Sequence, residues 1–291
     1  MKTAVLTDST CDLPRETIEE KDYLHTIPLN INFAEEKFVD REDITPKEFF
    51  ARIEETGELP STSQPSVGDF LKIYDELAKD YDQVISLHLS GELSGTLNSS
   101  KTAAAEMEEV DIKIFDSKSA SLGLGFQVLL TCRLLENGFS WPEIEKNLKV
   151  MRTNTRVCFT VDDLTYLEKG GRIGKASSLI GSILNFKPLL ELSGDSGEVT
   201  PRGKVRGNSR LRKKLIKEIE EVFRKEEKVW LAILYGSRQR EALLLKEMIE
   251  KKAGEKEIDL RLWQREISPV LGCHTGPSVY GLTLTAGDFL G

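Results

Sequence analysis

Short apolar runs alternate with amphipathic helical patterns along most of this 291-residue chain. Residues 84–89 and 229–234 are two such runs, and their length is typical of buried strands. Thr45 and Ser140 mark helix starts, since each is followed by a proline in the first turn and by a glutamate three residues on. Ser66, with Asp69 following, is predicted to cap a further helix, and residues 27–33 are predicted to form one strand with alternating apolar positions. Strands that alternate with helices in this way form sheets, mainly parallel, that helices cover. The sequence therefore predicts an α/β fold.

The chain is long enough for two domains, each with its own apolar core. A helix predicted to begin at Trp141 is followed by a new strand candidate at Cys158. We therefore predict an N-terminal α/β domain at 1–157 and a C-terminal α/β domain at 158–291. Each domain is expected to be a mainly parallel sheet with flanking helices, with one hairpin around residues 193–197.

Charge and apolar pattern argue against several classes of protein. A net charge of −8 and a pI near 5.2 disfavour a nucleic-acid partner, because a phosphate backbone requires a basic face. The first residues do not show the pattern of a signal peptide, in which a basic region precedes an apolar one. The apolar runs of the sequence are too short to cross a bilayer. We therefore expect a cytoplasmic protein with no integral membrane segment. The four cysteines and three histidines have no metal-ligand spacing, so neither a metal nor a cofactor is expected.

The sequence contains near matches to several catalytic motifs, but each lacks a required residue or spacing. Residues 170–176 resemble a phosphate-binding loop, but the glycines are too close together and Ala176 lacks the hydroxyl that binds magnesium. Ser94 has a glutamate two residues upstream, where a nucleophile elbow needs glycine. Asp8 follows a strand, but Thr10 stands where a second acid would act as general acid or base. We therefore predict no catalytic residue.

Loops rich in hydroxyl groups and glycine are candidates for binding rather than for catalysis. Ser94 and Gly95 lie between an apolar strand and a helix, where anions bind in open α/β sheets. Thr62 and Ser63 lie in a loop flanked by prolines, and Thr62 facing Ser94 would give an uncharged nest for a carboxylate or phosphate. His274 lies in a glycine-rich loop and could add a proton-sensitive contact. Helix capping by the hydroxyls and a structural role for His274 are the alternatives.

Six short motifs, taken in order, give the chain a resemblance to a known family. They are residues 7–10, 62–66, 93–96, 166–172, 203–206 and 274–277. In these motifs the sequence resembles the DegV-like fatty-acid-binding proteins of bacteria, which have a two-domain EDD fold. Ser278 departs from that pattern, because the family has glycine after the proline at this point.

The resemblance implies a carrier for a long-chain fatty acid. Thr62 and Ser94 would contact the carboxylate, His274 would lie near this head group, and the acyl tail would enter an apolar tunnel between or beside the domains. Arg172 would lie near the entrance, where it would either pair with an acid or meet a partner. The partner implied is a separate fatty acid kinase that phosphorylates the bound carboxylate with ATP, so the chain itself would not be an enzyme.

Burial of an acyl tail is consistent with this role, because each methylene removed from water contributes about 0.8 kcal/mol. The alternative for each candidate tunnel residue is an ordinary place in the core. The candidates are Leu122, Leu124, Phe126, Phe159, Leu164, Ile173, Ile180, Ile183, Leu184 and Phe186.

Residues 202–214 contain seven basic side chains and no acidic one, in an otherwise acidic chain. Arg202, Lys204, Arg206 and Arg210 in this segment are candidates for docking the kinase, and a solvated helix face is the alternative.

Two other functions of the chain stay open. One is a phosphoryl- or acyl-transfer enzyme that uses Asp8, Ser94 and His274 in a single pocket. The other is a protein-interaction module without a formed pocket.

Overall fold

The computed structural model describes residues 1–181 and 186–287. Its strands in this part of the chain are β1 Thr3–Asp8, β2 Leu24–Ile27, β3 Asn30–Phe33, β4 Glu36–Val39, β5 Ser61–Ser63, β6 Gln83–His88, β7 Asp111–Asp116, β8 Arg156–Thr160, β9 Lys187–Leu192, β10 Val199–Val205, β11 Lys228–Tyr235, β12 Asp259–Glu266 and β13 Tyr280–Ala286.

The α-helices alternate with these strands along most of the chain, which confirms the predicted α/β class. They are α1 Arg15–Glu19, α2 Pro46–Thr56, α3 Val67–Ala78, α4 Thr96–Ala104, α5 Leu122–Glu136, α6 Trp141–Asn154, α7 Thr165–Lys169, α8 Asn208–Val222, α9 Gln239–Lys256 and α10 Pro269–Thr275. None of the helices within the described residues is both long and apolar enough to span a bilayer.

The first sheet is parallel throughout and has the strand order β2-β1-β6-β7. Successive side chains of a strand point to opposite faces, so each face needs its own cover. Ala4 and Leu6 pack in one cluster with Phe70 and Tyr74 of α3. Val5 between them packs in the cluster that contains α5. The first half of the chain is thus a sheet between two layers of helices.

The second sheet has the order β10-β9-β8-β13-β11-β12 and is mostly antiparallel, so the prediction of a mainly parallel sheet is wrong for this half. Only β11 and β12 are parallel, and α9 is the crossover helix between them. The predicted hairpin joins β9 to β10. The short α10 returns the chain from the end of β12 into β13, which runs the opposite way beside β11.

The two sheets share one apolar core. Val157, Leu192 and Leu234 on the inner face of the second sheet belong to the same cluster as Leu122 and Phe126 of α5. The outer face of the second sheet is covered by α8 and α9, which form a separate cluster with it. The first sheet lies within residues 3–116 and the second within 156–286; the division into domains at 157/158 stays a prediction.

A small antiparallel sheet, β4-β3-β5, was not predicted from the sequence. The single strand expected at residues 27–33 is instead two strands, β2 and β3, interrupted at Pro28. The polar loop expected around Thr62 contains β5, in which Thr62 pairs with Ile31 of β3. Helix starts at Thr45, Ser66 and Ser140 are confirmed, each with a capping box.

Substitution of Phe126 tests the shared core. The centroid of the Phe126 ring lies 5.7 Å from that of Trp230 and 5.1 Å from that of Trp263. We expect Phe126→Ala to lower the free energy of unfolding by about 3–5 kcal/mol, the usual cost of removing a buried aromatic ring. Chemical denaturation followed by tryptophan fluorescence measures this. Phe139→Ala is the matched control, since Phe139 is 40% exposed and its removal should change stability little. Equal effects of the two substitutions would contradict this account of the core.

Candidate functional site

A cavity lies between the inner face of the second sheet, α10 and the carboxyl end of β6. Small-molecule sites are typically concave and lined by apolar residues with a few polar groups. The walls are mainly apolar and include Leu89, Val157, Leu192, Leu234 and Ile267. The polar side chains in the walls are those of Thr62, Ser94, Ser121, Arg172, His274 and Thr275.

Thr62 and His274, which are 212 residues apart in sequence, meet in this cavity. Thr62 Oγ1 lies 2.9 Å from His274 Nε2 and forms a hydrogen bond with it. Strand β5 holds Thr62, and the last turn of α10 holds His274, so this residue is helical rather than in the loop expected from its glycine neighbours. The structure therefore brings together two of the three residues expected at the head group.

Ser94 also lines the cavity, and its hydroxyl has local partners. Ser94 Oγ is 2.9 Å from Thr96 Oγ1 and accepts a hydrogen bond from the Thr96 N–H at 3.3 Å. Ser94 thus lines the cavity and forms a local turn contact just before α4, whose N-cap is Gly95. Gly95 and Ser63 do not line the cavity. Gly95 instead packs against the side chain of Gln64, which sequence reasoning did not single out.

Arg172 places a positive charge in the cavity wall beside these residues. Its Nε donates to the carbonyl oxygen of Leu93 at 2.9 Å, and its Nη1 donates to that of Gly170 at 2.6 Å. The bond to Leu93 fixes the guanidinium next to Ser94. Thr62, Ser94, Arg172 and His274 therefore form one polar group, which is called the head-group cluster below.

Burial, as the larger cause, and the neighbouring Arg172 charge together lower the pKa of His274 from 6.5 to about 4. His274 is consequently neutral at pH 7. Between pH 6.5 and pH 4 the unfolded chain binds a proton that the folded chain does not bind, so this residue makes folding less favourable as the pH falls through that window.

The Nδ1 atom of His274 has no hydrogen-bond partner among the described residues. A Cβ atom at Gly170 would come within 2.4 Å of Nδ1, so glycine is needed here for the α7 turn to approach the ring. The loop after α10 also tolerates the departure at Ser278, whose Oγ accepts a hydrogen bond from the Asp162 N–H at 2.9 Å.

Of the ten tail candidates, Phe159 lines the cavity. Leu122, Leu124, Phe126 and Leu164 are buried in the shared core instead. The remaining described candidates include Ile173, which is partly buried, and Ile180 and Phe186, which are 45% and 37% exposed. Ile183 and Leu184 lie outside the described residues.

Sequence reasoning missed most of the lining because it favoured helical residues, whereas much of the wall comes from strands and strand ends. Short apolar runs in β8 and β9 were the available signal, but such runs do not say which side chains face a cavity. Ser121 and Thr275 were also missed. Both hydroxyls have internal acceptors, Asp12 for Ser121 and the Leu271 carbonyl oxygen for Thr275.

Asp8 lies away from the cavity and is fully buried. Its Oδ1 accepts from the Thr10 N–H at 3.1 Å, and its Oδ2 accepts from the Leu89 N–H at 2.9 Å and lies 3.1 Å from His88 Nδ1. The carboxylate is thus occupied by hydrogen bonds within the first half of the chain. The structure does not join Asp8 to Ser94 and His274 in one pocket.

The basic side chains of residues 202–214 differ in their contacts and in their exposure. Arg202 forms ion pairs with Glu191 and Glu218, each at 3.0 Å, and therefore has a structural role between β10 and α8. Lys204, Arg206 and Arg210 are exposed. The Arg206 guanidinium lies over the ring of Phe186, 5.1 Å from its centroid.

The fold and site together define a two-sheet α/β protein with an apolar cavity and a small polar cluster in its wall. A family model described as "Uncharacterised protein, DegV family" matches residues 2–286, and the chain belongs to this family. The protein DegV of Bacillus subtilis is 36% identical over 287 residues, which cover 97% of this chain and 98% of that one.

Two solved structures extend this similarity to the fold. A DegV family protein from Thermus thermophilus, described by its fatty acid binding, superposes with a TM-score of 0.91 at 34% identity and covers 99% of this chain and 100% of its own. DegV of Bacillus subtilis, described as a fatty acid binding protein, gives a TM-score of 0.89 at 33% identity over the same shares. The predicted family and fold class are thereby confirmed.

Arg172 and His274 allow a direct test of the electrostatics of the cluster. We expect Arg172→Gln to raise the pKa of His274 from about 4 towards 6.5, but not to reach it, because burial is the larger cause. Titration of the imidazole by NMR measures this. Arg172→Lys is the matched control, since it keeps the charge and should leave the pKa low. A pKa that stays near 4 in Arg172→Gln would show that the charge has no influence.

Proposed function

We propose that the chain binds a long-chain fatty acid and holds its carboxylate at Thr62, Ser94, Arg172 and His274, with the acyl tail in the cavity. The observation that carries this proposal is the combination of mainly apolar walls with one polar cluster that contains a cation. An amphiphilic anion matches both features, because its tail suits the apolar walls and its charge suits the polar cluster. Ser63 and Gly95, which lie next to the cluster, would support its two loops rather than touch the ligand.

The chemistry of the cluster favours a carboxylate. Thr62 and Ser94 offer hydroxyl donors, and Arg172 offers a charge that stays positive at any physiological pH. His274 is neutral, so the cluster carries one positive charge, which a single carboxylate balances. Hydrogen bonds to charged groups are about twice as strong as neutral ones, so these few donors are enough to orient the ligand.

The apolar walls supply most of the affinity in this proposal. A chain of about 14 buried methylenes would gain roughly 10 kcal/mol before the costs of association are subtracted. The relatives from Thermus thermophilus and Bacillus subtilis are described as binding fatty acids, and their similarity covers nearly the whole chain. This similarity supports the same ligand class here.

The finer part of the proposal is that the chain presents its fatty acid to a separate kinase, which phosphorylates the carboxylate with ATP in the cytoplasm. The chain would then be a carrier without catalytic residues of its own. Support comes from the family resemblance and from the exposed cations Lys204, Arg206 and Arg210. A rival enzymatic role would need Asp8 beside Ser94 and His274, and Asp8 is held elsewhere.

Native mass spectrometry of the purified protein tests the ligand. We expect one long-chain fatty acid per chain, released and identified after denaturation, because a buried tail should survive purification. A protein that carries no fatty acid and fails to take up added fatty acid would contradict the proposal. Turnover of an acyl phosphate or an ester by the chain alone would favour the enzymatic alternative.

The double substitution Thr62→Ala with Ser94→Ala tests the head-group assignment. We expect it to raise the dissociation constant for a fatty acid roughly 100-fold or more, since two hydrogen bonds to a charged group are lost, each worth about 1.5 kcal/mol or more. Thermal unfolding should change little. Thr102→Ala with Thr153→Ala is the matched control, because it removes two exposed helical hydroxyls. Unchanged affinity in the first pair would remove these residues from the site.

Charge reversal of Arg206 and Arg210 to glutamate tests the kinase partnership. We expect acyl phosphate formation with a bacterial fatty acid kinase and ATP to require both proteins, and to fall severalfold in this variant at low salt. The difference should shrink as salt is added, because exposed charges are screened. Lys251→Glu with Lys256→Glu on α9 is the control for net charge. Equal activity of both double variants would exclude docking through this segment.

A further inference from the structure

Asp12 is a fully buried carboxylate that joins distant parts of the chain without lining the cavity. It follows the short 3-10 turn Ser9–Cys11 and has a φ of 55°, in the left-handed region. Its Oδ1 accepts from the Ser268 N–H at 2.9 Å, and its Oδ2 accepts a short hydrogen bond from Ser121 Oγ. These two partners are 256 and 109 residues away in the sequence.

Each partner of Asp12 stands at the start of a helix, α10 in the cavity wall and α5 in the shared core. Ser268 is the N-cap of α10, which carries His274. Ser121 precedes α5 and lines the cavity itself, with a φ of 53° and a ψ of −147°. This conformation is unfavourable for a residue other than glycine and must be held by its surroundings. The hydrogen bond to Asp12 is one contact that holds it.

The beginning of α10 receives a second carboxylate from the same region. Asp40 is buried, and its Oδ1 accepts from the Val270 N–H at 3.4 Å. The neighbouring Arg41 pairs with Asp12, with Nη2 2.5 Å from Oδ1. The Asp12 and Asp40 side chains accept hydrogen bonds from two N–H groups at the start of α10, where N–H groups lack helical partners. Asp12, Asp40 and Arg41 therefore anchor α10 to the first half of the chain.

We propose that Asp12, with Arg41 as its counter-charge, is a positioning residue for the fatty acid site: it fixes the start of α10 and of α5, and so holds His274 against Thr62. This inference rests on the proposed function and extends it to residues that do not touch the ligand. Loss of Asp12 frees the Ser268 N–H and the Ser121 hydroxyl together. Helix α10 then moves relative to β5, and the head-group cluster loosens.

Asp12→Ala tests the proposal, with Tyr74→Phe as the matched control. Tyr74 is as deeply buried and also loses two polar contacts, to Ser86 and Ser100, but it lies on the other face of the first sheet. We expect Asp12→Ala to raise the pKa of His274 from about 4 towards 6.5 as the ring gains water. Release of a bound fatty acid should accelerate about tenfold, the factor expected for one hydrogen bond to a charged group. Tyr74→Phe should change neither quantity.

A second pair of variants covers the case in which Asp12→Ala does not fold. Ser268→Pro removes the N–H that Asp12 accepts, at a residue whose φ of −60° already suits proline. Ser268→Ala keeps this N–H and removes only the side-chain cap. We expect Ser268→Pro to raise the pKa of His274 and the release rate more than Ser268→Ala does.

The outcomes separate this inference from the proposed function. If the protein binds no fatty acid, the proposed function fails, and the NMR titration of His274 alone decides the role of Asp12. If fatty acid binds and Asp12→Ala matches Tyr74→Phe in both the pKa and the release rate, the positioning role is overturned while the proposed function stands. Equal values in the two Ser268 variants would overturn it as well.

Discussion

The packing of helix α5 between the two sheets is the contact on which the rest of the structure depends. Buried residues occur on all sides of this helix, which is typical of a helix without a solvent face. Its side chains join Ile85 and Leu87 of the first sheet to Val157 and Leu192 of the second in one core. The cavity lies beside this contact, and wall residues such as Leu89 and Val157 belong to the same core.

The polar groups in the cavity show how an anion site is kept in apolar surroundings. A buried polar group is costly unless it is hydrogen-bonded, and a buried charge is costlier still. Thr62 Oγ1 and His274 Nε2 form a hydrogen bond with each other, and Arg172 donates to two backbone carbonyl oxygens. The guanidinium is therefore held in place, and within the described part of the chain no carboxylate forms an ion pair with it, so its charge is available to a ligand.

Local features were predicted from the sequence, and features that depend on distant contacts were not. The helix starts at Thr45, Ser66 and Ser140 are confirmed because a capping box needs only four consecutive residues. Strand direction in the second sheet depends on where β13 inserts, and β5 exists only because Ile31 is beside Thr62. The polar site residues came from loop chemistry and the family resemblance, whereas the wall residues required the packing of strands from both halves.

The proposed ligand and the protein core are energetically linked. Surfaces that line a cavity lose dispersion contacts, and cavities in cores reduce stability in proportion to their volume. An acyl tail between Leu89, Val157 and Leu234 would supply those contacts, as a core side chain does elsewhere. The cavity walls come from β5, α10 and both sheets, so a bound tail would stabilise these parts against separation by mass action. A protein of this design would release its ligand most readily when a local change opens one wall and leaves the rest of the core intact. Helix α10 is a short element of one wall: Asp12 and Asp40 hold its first turn through polar contacts, and Val270 and Cys273 pack it into the apolar core.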